Sequence, residues 1–198
     1  MLPLLLVLAL AQSPEGLLVQ QLRQLPTPLP ATGRSDGSMD PVELQRREIY
    51  RRIRQSGDEA LPALARGLRD RDVRLRKNVA LALGALAGTW WDPSVAPMNI
   101  RPILGELTAA LKDEDASVRA WSAQAIGQIG PDAAPAVLAL IALLANSDEG
   151  SRISACIALR GIGPAARNAL PALRKALEDP SVDVRRFAKN AIEQIEAR

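Results

Sequence analysis

The chain has 198 residues, of which 47% are hydrophobic and 3% aromatic, and its formal net charge is +3 at pH 7. So small a charge does not indicate a polyanion partner for the chain as a whole. The sequence contains no histidine, which excludes histidine-based nucleophile systems and nearly all zinc sites. It also lacks a glycine-rich phosphate-binding loop. We therefore expect a non-catalytic protein that holds no metal or cofactor.

Residues 1–11, MLPLLLVLALA, form an apolar run that ends in an Ala-x-Ala pattern. The run is too short to span a bilayer and predicts a signal peptide, although no Lys or Arg precedes it. The alternative is a buried apolar N-terminal segment. A cleaved signal peptide would make the protein secreted or periplasmic, with no stable membrane insertion afterwards; otherwise it would be cytoplasmic.

Residues 12–39 are predicted to form a proline-rich linker that includes one possible short helix. Ser13 is a suitable N-cap and Pro14 a suitable first helical residue. Three leucines then share one face of this helix: Leu18, Leu22 and Leu25. The remainder of the linker, PTPLPATGRSDGS, has the composition of an extended segment.

The ordered domain is expected to span residues 40–198, beginning with Asp40 as N-cap and Pro41 at the first helical position. The helix that they start would cap the N-terminal end of the domain. Between residues 46 and 77 the chain has eleven Lys or Arg and five Asp or Glu. This basic end could bind nucleic acid or an anionic glycan, or it could be a solvated outer face, which we favour.

Four copies of one unit follow. A shift of 33 residues places Arg152 on Arg119 and on Arg185, and a fourth copy with Arg76 lies upstream at an offset of 43. Such a period is typical of stacked repeat proteins. Because the arginine recurs in every copy, we expect it to bond to turn carbonyls or to an acidic residue of the neighbouring copy rather than to a ligand.

Each copy contains two amphipathic helical patterns separated by a polar turn. The first pattern has leucines such as Leu104, Leu107 and Leu111, and the second has mostly small apolar residues. Gly130 and Gly163 follow the last periodic residue, where a left-handed residue would end the helix. A pair of this kind buries its apolar face only by stacking on neighbours.

The segments ALPALARGLRDRDVRLRKNVALALGAL and ALPALRKALEDPSVDVRRFAKNAIEQI resemble the short HEAT-like repeats of the phycobilin lyase type. The resemblance covers about residues 58–198. It implies an all-α, right-handed α-solenoid of antiparallel helix pairs, with about four full repeats plus the N-terminal capping helix. Proteins with such repeats include chromophore lyases, DNA glycosylases, hydroxylases and scaffolds, so the resemblance indicates the fold more than the function.

The extra ten residues between the first and second copies lie within residues 88–100, GTWWDPSVAPMNI. Insertions in solenoids map to loops on one edge, which is often a binding edge. Trp90 and Trp91 have the composition of a binding hot spot. The alternative is that the two tryptophans hold their own loop against the first two copies.

The second helices have an outward side, which by the resemblance would line the concave face. In the middle copies it is small and apolar, so it could be a shallow groove for a peptide or helix, or crowding on the inside of the curve. Its candidate partner-binding residues are Leu81, Trp121, Ile153 and Ile157, and Phe187 flanks it with Trp121. The residues that the helical period places on this side include Ala80, Ala123 and Cys156.

These patterns predict a non-catalytic, exported scaffold that binds another protein or peptide of unknown identity. The alternatives are a polyanion-binding protein, with nucleic acid the less favoured ligand, and a lyase-type auxiliary protein that acts on a bound partner. We expect no catalytic residue, cofactor or metal ion.

Overall fold

The computed structural model describes residues 14–26, 40–88, 94 and 96–197. The predicted signal peptide and most of the predicted linker lie outside these residues. Within them the chain is helical and contains no strand. The α-helices are α1 (Pro14–Gln24), α2 (Pro41–Ser56), α3 (Leu61–Gly67), α4 (Val73–Ala87), α5 (Leu104–Ala110), α6 (Ala116–Ile129), α7 (Val137–Leu143), α8 (Glu149–Ile162), α9 (Leu170–Ala176) and α10 (Val182–Glu196).

The helices from α3 onward form four pairs, each made of a short first helix and a longer second helix. The turn inside each pair is built in the same way in all four copies. A side-chain oxygen of its first polar residue accepts a hydrogen bond of 2.9 Å from the backbone N–H two residues later, a local motif that Asp and Asn form readily. The accepting residues are Asp70, Asp113, Asn146 and Asp179.

Glycines end two of the second helices, as the sequence predicts. Gly130 and Gly163 have φ values of 73° and 67°, a region that side chains with a Cβ rarely adopt. Short 3₁₀ helices, Gly130–Ala136 and Gly163–Ala169, then lead into the next first helix. Residues 116–143 contain a stretch that is long and apolar enough to span a membrane, but the turn at Gly130 divides these residues into α6 and α7.

Consecutive second helices pack side by side along the stack, and small residues let α6 and α8 approach closely. A Cβ added to Gly161 would lie 2.4 Å from the carbonyl oxygen of Gly127, and one added to Gly127 would lie 2.9 Å from the Cα of Ala158. Both distances are too short for a carbon atom, so the two backbones are in direct contact. The small residues of the sequence pattern therefore produce this close packing.

Helix α1 is part of the packed core, although the sequence places it in the linker. Leu18, Leu22 and Leu25 are buried, as their common face predicts. The fully buried Asn78 of α4 donates 2.9 Å hydrogen bonds to the carbonyls of Leu22 and Leu25. These bonds satisfy carbonyls that the end of a helix leaves unpaired, so α4 fixes the C-terminal end of α1.

Two arginines fix α1 further. Arg23 forms a 2.7 Å ion pair with Asp70, in the turn of the first copy. Arg46 of α2, which is buried, donates a 3.0 Å hydrogen bond to the carbonyl of Pro26. The predicted N-cap of α2 is also present, since Asp40 accepts a 2.7 Å hydrogen bond from the N–H of Val42. Helices α1 and α2 together therefore cap the N-terminal end of the stack.

Candidate protein-binding surface

The recurring arginines hold neighbouring copies together. In the third copy, Arg152 donates hydrogen bonds of 2.8 and 2.9 Å to the two carboxylate oxygens of Asp179 in the fourth copy. It also donates 3.1 Å hydrogen bonds to the carbonyls of Asn146 and Ser147 in its own turn. A bidentate pair of this kind is directional as well as strong. Arg152 is thus committed to the internal structure of the stack.

The other recurring arginines make similar hydrogen bonds, with differences between the copies. Arg76 binds both carboxylate oxygens of Asp113 at 2.8 and 3.1 Å. The next copy has Asn146 in place of an aspartate, and Arg119 donates a 3.0 Å hydrogen bond to the Ser151 hydroxyl instead. Arg185, in the last copy, binds carbonyls of its own turn. The structural role predicted for these arginines is confirmed.

The Arg152–Asp179 pair makes stability depend on pH. Its hydrogen bond holds the pKa of Asp179 below the usual value of 3.8, so the pair stabilises the fold fully above that pH and stabilises it less as pH falls through the lower folded-state pKa. We expect Asp179→Asn to lower the free energy of unfolding at pH 7. The difference in this free energy between variant and wild type should become smaller below about pH 4. Urea unfolding at several pH values measures this difference, and an unchanged difference at low pH would contradict the assignment.

The second-helix face, defined as the solvent-facing side of α4, α6, α8 and α10, carries most of the predicted partner-binding residues. Leu81, Trp121, Ile153 and Ile157 are each partly exposed, in contrast to the fully buried residues between the helices. Phe187 is also partly exposed, and the guanidinium of Arg186 lies 4.8 Å from its ring centre. The structure thus distributes partly exposed apolar side chains over all four copies.

Polar groups border these apolar side chains. Gln124 and Arg160 are exposed, on α6 and α8 respectively. Within the described part of the chain Arg160 forms no ion pair, whereas Lys77 forms a 2.7 Å ion pair with Asp115. Exposed apolar groups beside an unpaired cation suit an interface that joins apolar contact with hydrogen bonding. Arg160, which the helical period places on the outward side beside Ile157, therefore joins the predicted candidates.

Four residues that the helical period places on the outward side are in fact buried: Ala80, Gly84, Ala123 and Cys156. The expectation that they face outward is wrong because the next second helix covers this strip of the preceding one. The residue equivalent to Cys156 in the last copy, Lys189, is exposed, since no further helix follows it in the described part of the chain. The second-helix face is consequently narrower than the helical period predicts.

Cys156 is a structural residue within this packing. Burial raises the pKa of its thiol to about 12, so the reactive thiolate is scarce near neutral pH. We expect native protein to resist iodoacetamide for hours, and urea-unfolded protein to be alkylated completely within minutes. Mass spectrometry of both samples measures the modification, and rapid alkylation of the native chain would contradict the assignment.

Several cations of the basic N-terminal segment are bound within the fold. Arg46 and Arg76 are buried, and Lys77 is paired with Asp115. A cation that already has a carboxylate partner releases fewer counterions when a polyanion approaches. The segment therefore presents fewer free cations than its composition suggests.

The insertion between the first two copies is described only in part, and Trp90 and Trp91 lie outside the described residues. Where the insertion rejoins the stack, the N–H of Met98 donates a 2.7 Å hydrogen bond to the carbonyl of Leu86, and Ile100 is buried. A shallow cavity of about 250 Å³ lies beside this segment, lined in part by Arg101, Gln128 and Asp132. The binding and structural interpretations of the two tryptophans both stay open.

Among the described residues, no cluster of three or more Cys, Asp and Glu side chains has the geometry to hold a metal ion. The repeated helix pairs, the shared turns and the packed second helices define an α-solenoid. The architecture predicted from the sequence is thereby confirmed.

A comparison with known protein families finds a match for one of the four copies. A family model described as HEAT repeat matches residues 103–133, which contain α5 and α6. No curated protein shows significant sequence similarity to the chain. Residues 103–133 thus match a HEAT repeat, and the other three copies share the helix-pair architecture of this segment.

Solved structures show that the α-solenoid fold extends over most of the chain. A structure of the CpcE and CpcF complex of phycocyanin lyase from Nostoc sp. PCC7120 is 17% identical, with a TM-score of 0.66 and coverage of 89% of this chain and 96% of that chain. A designed armadillo repeat protein in complex with the peptide (KR)4 is 18% identical, with a TM-score of 0.61 and coverage of 91% and 82%. An engineered protein is 21% identical, with a TM-score of 0.60 and coverage of 94% and 86%. At these identities the similarity concerns the fold alone.

Proposed function

We propose that the protein is a non-catalytic scaffold that binds another protein or a peptide through its second-helix face. The observation that carries the proposal is the partial exposure of Leu81, Trp121, Ile153 and Ile157 on successive second helices. Large apolar side chains left partly exposed on a rigid surface are suited to anchor a partner. The two solved relatives described as complexes, one with a second protein and one with a peptide, support the proposal by analogy.

The polar groups beside these anchors limit the chemistry of the partner. Arg160 is an exposed cation without an ion pair among the described residues, and the neighbouring Gln124 can donate and accept hydrogen bonds. A partner segment with apolar side chains and a carboxylate would fit this combination better than a basic segment. Polyanion binding is the weaker alternative, because Arg46, Arg76 and Lys77 are already bound within the fold.

Ile157→Asp tests the proposal, because it places a charge in the middle of the second-helix face. We expect the variant to retain its helicity and to lose at least roughly tenfold in affinity for the partner, since a buried unpaired carboxylate costs more than the 1.4 kcal/mol that tenfold represents. The measurement is capture from an extract of the native host, quantified by mass spectrometry, with circular dichroism as the folding check.

Leu44→Asp is the matched control, because Leu44 is 53% exposed on α2, away from the second-helix face. It should leave capture unchanged. A Trp90→Ala/Trp91→Ala double variant in the same assay separates a binding loop from a structural one. If Ile157→Asp is folded and still retains every partner of the wild type, the second-helix face is not the binding surface.

A lyase-type auxiliary role stays an alternative, since it would also need a bound partner. Export of the protein rests on residues 1–11 and stays a prediction.

A further inference from the structure

A second surface of the stack, on the outward side of the first helices, differs sharply in one copy. Five positions align across the copies and face outward, except for the buried Ala65 of the first copy. Three of the copies carry at least two charges among them. The aligned sets are Asp58, Pro62, Ala65, Arg66 and Arg69 in the first copy, Arg101, Gly105, Thr108, Ala109 and Lys112 in the second, Ala134, Leu138, Ile141, Ala142 and Ala145 in the third, and Arg167, Pro171, Arg174, Lys175 and Glu178 in the fourth. The third copy alone is apolar at all five positions.

The structure exposes this α7 strip, defined as the five positions of the third copy. Leu138 is 76% exposed, the largest value among the exposed large hydrophobic side chains of the described residues. Ala134, Ala142 and Ala145 are exposed as well, and Ile141 is partly exposed. The equivalent positions elsewhere show that the fold tolerates charge here, so folding does not require an apolar surface.

Unpaired cations lie on either side of the α7 strip, on or next to the two neighbouring first helices. Lys112, at the position aligned with Ala145, borders it on the α5 side, and Arg167 and Lys175 border it on the α9 side. All three are exposed and form no ion pair in the described part of the chain. The other charges at these borders are mostly neutralised, since Arg101 pairs with Asp132 and Arg174 with Glu196. Among the aligned positions of the second and fourth copies, Glu178 is the one carboxylate, and it forms no ion pair with a described residue.

We infer that the α7 strip docks an amphipathic helix of another protein, whose apolar stripe is flanked by acidic side chains. From Ala134 to Ala145 the strip is roughly 18 Å long at 1.5 Å per helical residue, about three turns of a partner helix. The alanines let a second helix approach closely, and Leu138 and Ile141 form the ridge that its groove would receive. The basic borders supply the charge complementarity that selects an acidic partner.

Two other occupants fit these observations less well. A second copy of this chain would bring its own Lys112, Arg167 and Lys175 to the same contact, and like charges would repel. An anionic membrane would satisfy the cations, but the strip has one strongly exposed large side chain and no aromatic residue to anchor in the interface. The docking site is separate from the second-helix face, so it goes beyond the scaffold function proposed above.

A pair of synthetic peptides provides the test. Both form amphipathic helices of about 18 residues, roughly five turns, with the same Leu and Ala stripe, flanked by Glu in one and by Lys in the other. We expect fluorescence anisotropy to show binding of the Glu peptide alone, with affinity that decreases as salt increases. Leu138→Glu should weaken the affinity for the Glu peptide at least roughly tenfold, and so should the Lys112→Glu/Lys175→Glu double variant.

Val182→Glu is the matched control, because Val182 is 68% exposed outside the α7 strip, and it should bind the Glu peptide as wild type does. Ile157→Asp should do so as well, which separates this site from the second-helix face. Absence of Glu-peptide binding, equal binding of both peptides, or full binding by Leu138→Glu would each overturn the inference. The inference would also be overturned if the wild type bound phosphatidylserine vesicles, or formed a dimer in sedimentation, and Leu138→Glu were the only variant that abolished this behaviour.

Discussion

Gly161→Ala should destabilise the protein by about 2 kcal/mol, a fall in Tm of about 4–8 °C for a chain of this size. The added Cβ would lie 2.4 Å from the carbonyl oxygen of Gly127. That oxygen belongs to the backbone of α6, so α6 and α8 must move apart, at a cost of about 3 kcal/mol. The higher helix propensity of alanine offsets up to about 1 kcal/mol of this cost. Thermal and urea unfolding measure the net effect.

Gly105→Ala is the control for helix propensity. Gly105 is an exposed residue of α5, and a Cβ added there would meet no atom within 4 Å. This variant should be as stable as the wild type or more stable by up to about 1 kcal/mol. If both alanine variants raise Tm, the close contact between α6 and α8 is not required for stability.

Arg152→Ala should cost about 3 kcal/mol, because it removes one partner of a mostly buried ion pair. The side chains of Arg152 and Asp179 are 13% and 11% exposed, so the remaining carboxylate would be left desolvated and unpaired. The carbonyls of Asn146 and Ser147 would lose their donor as well. Arg152→Lys should rescue only part of the loss, because lysine lacks the planar fork that binds both carboxylate oxygens.

An exposed ion pair provides the comparison for this variant. Arg174 and Glu196 are 2.8 Å apart, but their side chains are 62% and 47% exposed. Arg174→Ala should therefore cost less than about 1 kcal/mol. Equal losses in Arg152→Ala and Arg174→Ala would show that burial does not determine the strength of the Arg152–Asp179 pair. Urea unfolding at pH 7 measures both variants.

The repeat period predicted the helix pairs, because residues that share a position in every copy meet the same neighbours. The glycines at 130 and 163 and the four polar turn residues could therefore be assigned from the sequence. The hydrogen bonds of the recurring arginines could also be predicted from the sequence. Each arginine, such as Arg152, lies at a nearly constant sequence separation from the turn of the next copy. Periodicity is a local property, and these features depend on local geometry or on nearest neighbours.

The extent of the second-helix face could not be predicted in the same way. The helical period shows which residues share a side, but it does not show how much of that side the adjacent helix covers. Ala123 is buried because glycines bring α6 and α8 into backbone contact, and Cys156 is buried because α10 packs against α8. Such proximity is a tertiary property. The position of α1 depends likewise on Asn78, which lies more than fifty residues further along the chain. Asn78 occupies the position that Trp121 and Phe187 have in two of the other copies.

The capping of the stack by α1 has a consequence for synthesis of the chain. Leu22 and Leu25 emerge from the ribosome more than fifty residues before Asn78, which binds their carbonyls. Helix α1 can pack against α2 earlier, but it cannot complete its contacts with α4 until the first copy has been made. Closing so long a loop is slower than adding the later copies, each of which stacks on a neighbour already in place. The first helix of the described residues is thus among the later elements to dock, and a chaperone that shields apolar segments would act on it during that interval.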